Sequence, residues 1–140
     1  MEKRKMEKLG IETSLLGFGC MRFPTLADGS IDQAATERML DEAYQAGVNY
    51  FDTAYGYHDG ASEGTVGRIL KKHDRDSFFL ATKLPMWLVE KEEDVPRIFE
   101  EQLTRLAMDH VDFYLLHALN KDSWEKAKRL HVIEACEEFR

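Results

Sequence analysis

Four polar side chains of this sequence come where buried strands would end. Asp52, Lys83 and His117 each close an apolar run, and Tyr57 lies five residues after Asp52. In parallel α/β barrels, catalytic groups sit at the carboxyl ends of the strands and in the loops that follow them. We therefore expect these four side chains to converge in space, although they are far apart along the chain.

The four residue types together suit the reduction of a carbonyl group. A tyrosine hydroxyl is a weak acid at neutral pH, because its unperturbed pKa is about 10. A lysine ammonium nearby favours the phenolate and strengthens the acid, and a carboxylate can pair with that ammonium and orient it. An imidazole can donate a hydrogen bond to the carbonyl oxygen. Such a set polarises a carbonyl and protonates its oxygen, but the hydride must come from a cofactor such as NADPH.

Each of these residues taken alone has a structural explanation. An aspartate or lysine at a strand end is usually a solvated cap or half of a surface ion pair. A single histidine after two leucines is more often structural, and a tyrosine in a glycine-rich loop usually packs. Their shared position at strand ends favours the functional interpretation over these alternatives.

Strand and helix patterns alternate along the whole chain. A hairpin is predicted over residues 4–8 and 11–15 around Gly10, followed by strands over 15–19, 48–52, 77–83 and 111–117. Helices are predicted from Asp32 to Gly47, from Ser62, from Asp94, and from Ser123 to the last residue with a break near His131. Their predicted inward faces are Ala35, Met39, Ala43 and Ala46 in the first helix, Val66, Ile69 and Leu70 in the second, and Phe99, Leu103 and Leu106 in the third.

The alternation predicts an α/β protein with a parallel sheet. Its strands are nearly continuous apolar runs, which is typical of parallel strands covered on both faces. Four strand–helix units fit either a small open sheet or half of a (β/α)₈ barrel, which needs about 250 residues. Composition does not decide between these two architectures.

Composition and charge exclude several classes of protein. With 140 residues, 44% hydrophobic and 32% charged, the chain is predicted to be one globular domain over residues 1–140 rather than disordered. Its net charge of −7 disfavours nucleic acid. No apolar run approaches the ~20 residues of a membrane span, and the first residues do not resemble a signal segment. Cys20 and Cys136 match no disulfide framework or metal motif, so we expect a reduced, cytoplasmic protein without a metal.

Four strings of the sequence resemble the aldo-keto reductase family. Residues 47–57, with Asp52-Thr53-Ala54 and a tyrosine five positions after the aspartate, resemble the family signature. Residues 81–85 and 112–117 resemble the segments with the family's lysine and histidine, and residues 16–22 resemble the first barrel strand and its turn. Order and spacing agree from about residue 8 to residue 130. The chain thus resembles the N-terminal half of a (β/α)₈ barrel reductase.

The resemblance implies a role for each site residue. Tyr57 would be the general acid, Lys83 and Asp52 would tune it, and His117 would orient the carbonyl of a small aldehyde or ketone. Asp52 would also lie near the ribose of NADPH or NADH, whose nicotinamide would be bordered by the main chain of Gly19, Cys20, Met21 and Arg22. Residues 84–89, 117–120 and 124–126 further resemble a branch whose members carry a C-terminal iron–sulfur domain, which is not present in these 140 residues.

The resemblance to only half of a barrel leaves other functions open. The second half of such a barrel normally provides most of the NADPH site, so the chain is expected to be incomplete as a reductase. It could instead be a non-catalytic binding or regulatory module, a half-barrel that self-associates to restore function, or an unrelated small α/β domain. Unpaired strand edges invite pairing with another chain, so we expect the chain to self-associate or to be partly molten.

Overall fold

The computed structural model describes residues 1–139. Short 3₁₀ turns occupy residues 57–60 and 75–77. The strands and helices are, in chain order, β1 (Lys3–Met6), β2 (Ile11–Ser14), β3 (Phe18–Gly19), α1 (Gln33–Gln45), β4 (Tyr50–Asp52), α2 (Ala61–Leu70), β5 (Phe79–Pro85), α3 (Asp94–Leu106), β6 (Phe113–His117), α4 (Lys121–Arg129) and α5 (Val132–Glu137).

Strands β3, β4, β5 and β6 form one parallel sheet in that order. Each strand after the first follows a helix or helical turn, as parallel neighbours require. Asp52 pairs in register with Gly19 on one side and with Ala81 on the other. Because the strands are parallel, their carboxyl ends lie at one edge of the sheet, and the predicted α/β class is confirmed.

The predicted N-terminal hairpin is also confirmed. Strands β1 and β2 pair antiparallel, and Gly10 in the turn has a φ of 68°, which favours glycine. The hairpin is attached to the sheet through Asn49, whose side chain accepts a hydrogen bond from Ser14 N at 2.6 Å and donates one to Glu12 O at 3.0 Å.

The first parallel strand is shorter and more exposed than predicted. Only residues 18 and 19 pair with β4, whereas Leu15 and Leu16 are 49% and 59% exposed. The Ser14 hydroxyl donates to Leu16 O at 2.7 Å, which turns the chain before the strand begins. The prediction of a buried strand over 15–19 is therefore wrong at its start, because β3 is an edge strand with a neighbour on one side in the described residues.

Helix α1 begins and ends as predicted but presents a different face. Asp32 caps it by accepting a hydrogen bond from Ala35 N at 2.9 Å, and Gly47 beyond its end has a φ of 89°. The buried residues are Thr36 and Leu40, whereas Met39, from the predicted stripe, is 38% exposed. The predicted stripe was wrong by one position. Because many side chains of this helix are small, their spacing fits a buried face at either of two adjacent positions almost equally well.

Helix α2 confirms its prediction and helix α3 confirms it in part. Val66, Ile69 and Leu70 are fully buried. In α3, Leu106 is buried as predicted, but Phe99 and Leu103 are only half-buried. The rest of its buried face consists of Asp94, Val95, Ile98 and Gln102.

The last helical segment breaks where the sequence predicted. Asn120 caps α4 in a reciprocal arrangement with Ser123, so this helix begins two residues earlier than expected. His131, with a φ of 47°, separates α4 from α5. Among residues 1–139, no helix is long and apolar enough to cross a membrane.

The helices pack against one face of the sheet. Phe51, Leu80 and Leu84 are fully buried on that face. On the other face Tyr50, Phe79 and Phe113 are half-buried around one another, with ring centroids 5.1 and 6.2 Å apart. The expectation that both faces are covered is therefore wrong for the described chain: the face without helices remains open.

Candidate active site

Lys83 contacts Asp52 and Tyr57, so three of the four predicted site residues form one cluster. Its Nζ donates hydrogen bonds to Asp52 Oδ1 at 2.6 Å, to Thr53 O at 2.8 Å and to Tyr57 Oη at 3.1 Å. An ammonium has three N–H donors, so every one is engaged. The Lys83 side chain is 13% exposed, and this partial burial strengthens its ion pair with Asp52.

His117 lies beside this cluster at the end of β6. Its ring stands almost perpendicular to that of Tyr57, with centroids 5.7 Å apart, and 5.1 Å from that of Trp87. Burial lowers the pKa of His117 below its ordinary value, the Lys83 ammonium lowers it further, and Asp52 opposes both. The imidazole is therefore neutral at pH 7 and carries one N–H. Its Nδ1 is buried without a hydrogen-bond partner in the described residues.

The loop with Tyr57 is fixed to the loop after β3. Tyr57 begins a 3₁₀ turn in which His58 and Asp59 have φ values of 51° and 54°. Phe23 N donates a hydrogen bond to His58 Nε2 at 2.8 Å, and the Phe23 and His58 rings stack with centroids 5.5 Å apart. Two left-handed non-glycine residues in succession are uncommon, and these contacts oppose the strain.

The predicted cofactor residues lie next to Asp52. Gly19 pairs with it in register, and Cys20 N donates a hydrogen bond to Asp52 O at 2.8 Å. Cys20 is fully buried, and burial raises the pKa of its thiol. Met21 and Arg22 are exposed. Gly19, Met21 and Arg22 are thus exposed beside the Asp52 carboxylate, and their role in binding a cofactor remains a prediction.

A glycine, a tryptophan and a lysine shape the side of the site next to β5. Trp87 is 52% exposed and contacts both His117 and the position where a Gly56 side chain would begin. Lys126 of α4 donates hydrogen bonds to Met86 O at 2.8 Å and Val89 O at 2.9 Å. These two bonds fasten the loop that carries Trp87.

A buried polar network behind the strand ends was not predicted. Glu63 and Gln102 are fully buried, and both contact Thr82, the residue before Lys83. A glutamine in the inner stripe of a helix resembles an ordinary surface residue in sequence. The residues of this network are 19 to 39 positions apart in sequence, so no local sequence pattern indicates that they are in contact.

The arrangement can donate a proton beside a cation and a neutral imidazole. Such an arrangement is suited to protonating an oxygen on which negative charge develops. The sequence profile described as the Aldo/keto reductase family matches residues 15–140. The chain belongs to this family.

Curated relatives share about a third of its residues. The uncharacterized oxidoreductase YqkF of Bacillus subtilis (strain 168) is 32% identical over 126 residues, which are 84% of this chain and 39% of the relative. The probable aldo-keto reductase 1 of Glycine max is 30% identical over 83% of this chain and 36% of its own length. This aldo-keto reductase chain thus spans less than two fifths of these relatives.

Solved structures of the family share its fold. The holo form of aldo-keto reductase AKR11C1 from Bacillus halodurans superposes with a TM-score of 0.72 at 31% identity, over 94% of this chain and 48% of that one. An aldo-keto reductase from Klebsiella pneumoniae in complex with NADPH gives 0.71 at 25% identity, over 92% and 46%. The fold is therefore that of the (β/α)₈ barrel reductases over four strand–helix units, as the sequence predicted.

The aldo-keto reductase chain shows no metal-binding cluster in residues 1–139. No group of three or more histidine, cysteine, aspartate or glutamate side chains in that range could hold an ion. Cys20 and Cys136 are free thiols.

Proposed function

We propose that this site reduces the carbonyl group of a small aldehyde or ketone with NADPH or NADH. The contact that supports the proposal is the 3.1 Å hydrogen bond between Lys83 Nζ and Tyr57 Oη, with Asp52 bound to the same ammonium. Membership of the family supports oxidoreductase chemistry, and the Klebsiella pneumoniae reductase binds NADPH. The chain spans less than two fifths of the two curated relatives' length.

Each site residue has a defined part in the proposed reaction. Tyr57 gives its proton to the carbonyl oxygen as negative charge develops there, and the Lys83 ammonium stabilises the resulting phenolate. Asp52 pairs with that ammonium and orients it toward the tyrosine. The neutral imidazole of His117 donates its single N–H to the same oxygen and orients the carbonyl.

A bound nicotinamide cofactor supplies the hydride. In this chain Asp52 and the main chain of residues 19–22 would border its nicotinamide and ribose, because the segment lies next to Asp52 and Gly19, Met21 and Arg22 are exposed. We assign no residue of the chain to the cofactor's phosphates. Trp87 presents a half-exposed ring beside His117, and we propose that it forms an apolar wall for the substrate.

The test is NADPH consumption with a panel of aldehydes and ketones, comparing the parent chain with Tyr57→Phe. Loss of the proton donor should lower kcat by about 10²–10⁴-fold, because only a hydroxyl is removed. Tyr44→Phe is the matched control, since its hydroxyl bonds to Ser77 Oγ at 2.8 Å, away from the site. Turnover by Tyr57→Phe at the parent rate would disprove the assignment of the acid.

Calorimetric titration with NADPH separates binding from chemistry. Binding in the micromolar range, roughly 8 kcal/mol, together with carbonyl turnover would support the proposal and would mean that an assembly of the chain rebuilds a cofactor site. Saturable binding with no turnover of any carbonyl would instead favour a binding or regulatory module that retains the site residues.

We further propose that the open edges of the sheet pair with a second copy of the chain. Edge strands β3 and β6 each have one neighbour in residues 1–139, and Leu115 of β6 is 40% exposed. Unpaired edges with apolar side chains associate readily. A second copy over the open face would also shield the site from water, which strengthens its electrostatic interactions.

A further inference from the structure

Gln102 is a buried polar residue to which the proposed reaction gives no part. It lies on the inner face of α3 and is fully buried. Its side-chain Nε2 donates to Glu63 Oε1 at 2.6 Å and lies 3.0 Å from Lys83 O and 3.1 Å from Thr82 Oγ1. A buried amide with so many partners ties its helix to each element that it contacts.

Gln102 contacts Lys83 O in the part of β5 that no longer pairs with β4. The ladder between β4 and β5 ends at the pair Asp52 and Ala81, whereas β5 continues to Pro85. Lys83 therefore lies in a part of the strand that is paired with β6 alone, opposite Leu115. The Gln102 amide provides a hydrogen-bond donor to the main chain at this point.

The orientation of the Gln102 amide is determined by its two ends. Tyr114 Oη donates to Gln102 Oε1 at 2.7 Å, so the oxygen faces β6. At the other end Glu63 Oε1 accepts from both Gln102 and Thr82. A flipped amide would place its oxygen against the Glu63 carboxylate and its NH₂ against the tyrosine hydroxyl, so only one orientation satisfies both neighbours.

Glu63 is itself fixed between α2 and α3. Burial raises the pKa of its carboxyl group, and the hydrogen bonds from Thr82 and Gln102 oppose that rise. Arg105 Nη1 lies 3.6 Å from Glu63 Oε2. The network thus connects the main chain of the site lysine to two helices and to β6.

We propose that Gln102 is a positioning residue that acts through the main chain of Lys83. By fixing the end of β5 beyond its ladder with β4, it holds the ammonium where it meets Asp52, Thr53 O and Tyr57. The inference rests on the proposed reduction of carbonyls, since it assigns Gln102 to the same site. Gln102 touches none of the reacting groups, so its effect has to be measured at the site itself.

The test compares Gln102→Met with Tyr114→Phe. Methionine retains the length of the side chain but donates no hydrogen bond to Lys83 O. Tyr114→Phe removes another buried bond from the same amide and leaves the contact with Lys83, so it controls for general loosening of the network. The reporter is the NMR titration of the His117 imidazole, which senses the Lys83 charge, with Lys83→Met as the reference.

We expect Gln102→Met to raise the pKa of His117 by at least half of the shift that Lys83→Met produces, and Tyr114→Phe to leave it unchanged. Equal shifts in Gln102→Met and Tyr114→Phe, or none in Gln102→Met, would overturn the inference. Should Gln102→Met fail to fold, the side-chain amide protons of Gln102 in the parent provide a second measurement. Their exchange at the rate of a free amide would also overturn it.

Kinetics distinguish this inference from the proposed function. If the parent reduces carbonyls, Gln102→Met should lower kcat without changing KM for NADPH, whereas Tyr114→Phe should retain both. If neither the parent nor any variant turns over, the proposed function fails, and the His117 titration alone decides whether Gln102 positions Lys83.

Discussion

The Lys83 ammonium acts on two acids at once. It is bonded to the Tyr57 hydroxyl, and its charge disfavours a proton on the His117 ring. Both effects support the proposed reaction, because the phenolate is stabilised and the imidazole stays neutral over a wider range of pH. A single side chain thus contacts the proposed acid and adds to the effect of burial on the pKa of the proposed orienting group.

Replacing this lysine should therefore raise the pKa of His117. In the parent, burial and the Lys83 charge lower the pKa of His117. The ring therefore stays neutral at pH values at which an ordinary histidine would begin to take up a proton. In Lys83→Met the repulsion is lost and Asp52, which favours the imidazolium, no longer has its partner. The ring then protonates at a higher pH, and the acid limb of any remaining activity moves upward.

NMR titration of the imidazole checks this shift. Lys71→Met, at the exposed end of α2, removes the same charge away from the site and should leave the His117 titration in place. A His117 pKa that falls or stays constant in Lys83→Met would contradict the effect of the Lys83 charge on the ring.

The sequence predicted the residues at strand ends better than those behind them. The structure brings Asp52, Tyr57, Lys83 and His117 together as expected, because parallel strands must end at one edge. Their roles in catalysis remain predictions. Gln102 could not be foreseen, since its partners are determined by how α2 and α3 pack and not by any local pattern.

Helices α2 and α3 meet at a glycine. A Cβ on Gly67 would lie inside van der Waals contact of Leu106 O and 2.8 Å from Leu106 Cα. This approach places Glu63 against Gln102, so the buried network depends on how closely the two helices pack. Gly64, one turn earlier, would place its Cβ an ordinary 3.7 Å from Arg105 O.

Alanine at these two glycines should have opposite effects on stability. Gly67→Ala should lower the free energy of unfolding by about 1–3 kcal/mol or more, because a main chain must move to admit the methyl group. Gly64→Ala should raise it by up to ~1 kcal/mol, because alanine favours a helix and finds space there. Denaturant titrations of the two variants measure both changes, and equal effects would contradict the close approach of α2 and α3.

The caps and breaks of helices were predicted more reliably than their buried faces. The cap at Asp32 and the break at His131 follow from local chemistry and are confirmed. The stripe of α1 was wrong because alanine and threonine hardly distinguish one face from the next. In α3 the buried face includes the polar residue Gln102. A prediction from apolar residues alone therefore assigned Phe99 to the buried face instead.

For the molecule as a whole, the open face of the sheet determines what the chain can do alone. The half-buried rings of Tyr50, Phe79 and Phe113 and the exposed side chain of Leu115 lie there beside the Lys83 cluster. The same face that carries the proposed reaction is thus the apolar surface without a covering layer. Covering it would reduce apolar exposure and dry the site in one step.

A charge on this face should weaken the proposed association between two copies. Leu115→Lys should raise the dissociation constant of the dimer about tenfold or more, equivalent to ~1.4 kcal/mol, because a buried interface disfavours an unpaired ammonium. Leu9→Lys, in the hairpin turn and 56% exposed, is the matched control and should not change it. Sedimentation over a range of concentrations measures both constants.

Because Leu115 is already 40% exposed, the monomer should fold in either variant. A compact, cooperatively melting monomer in the parent at every concentration would show that the open face needs no second copy.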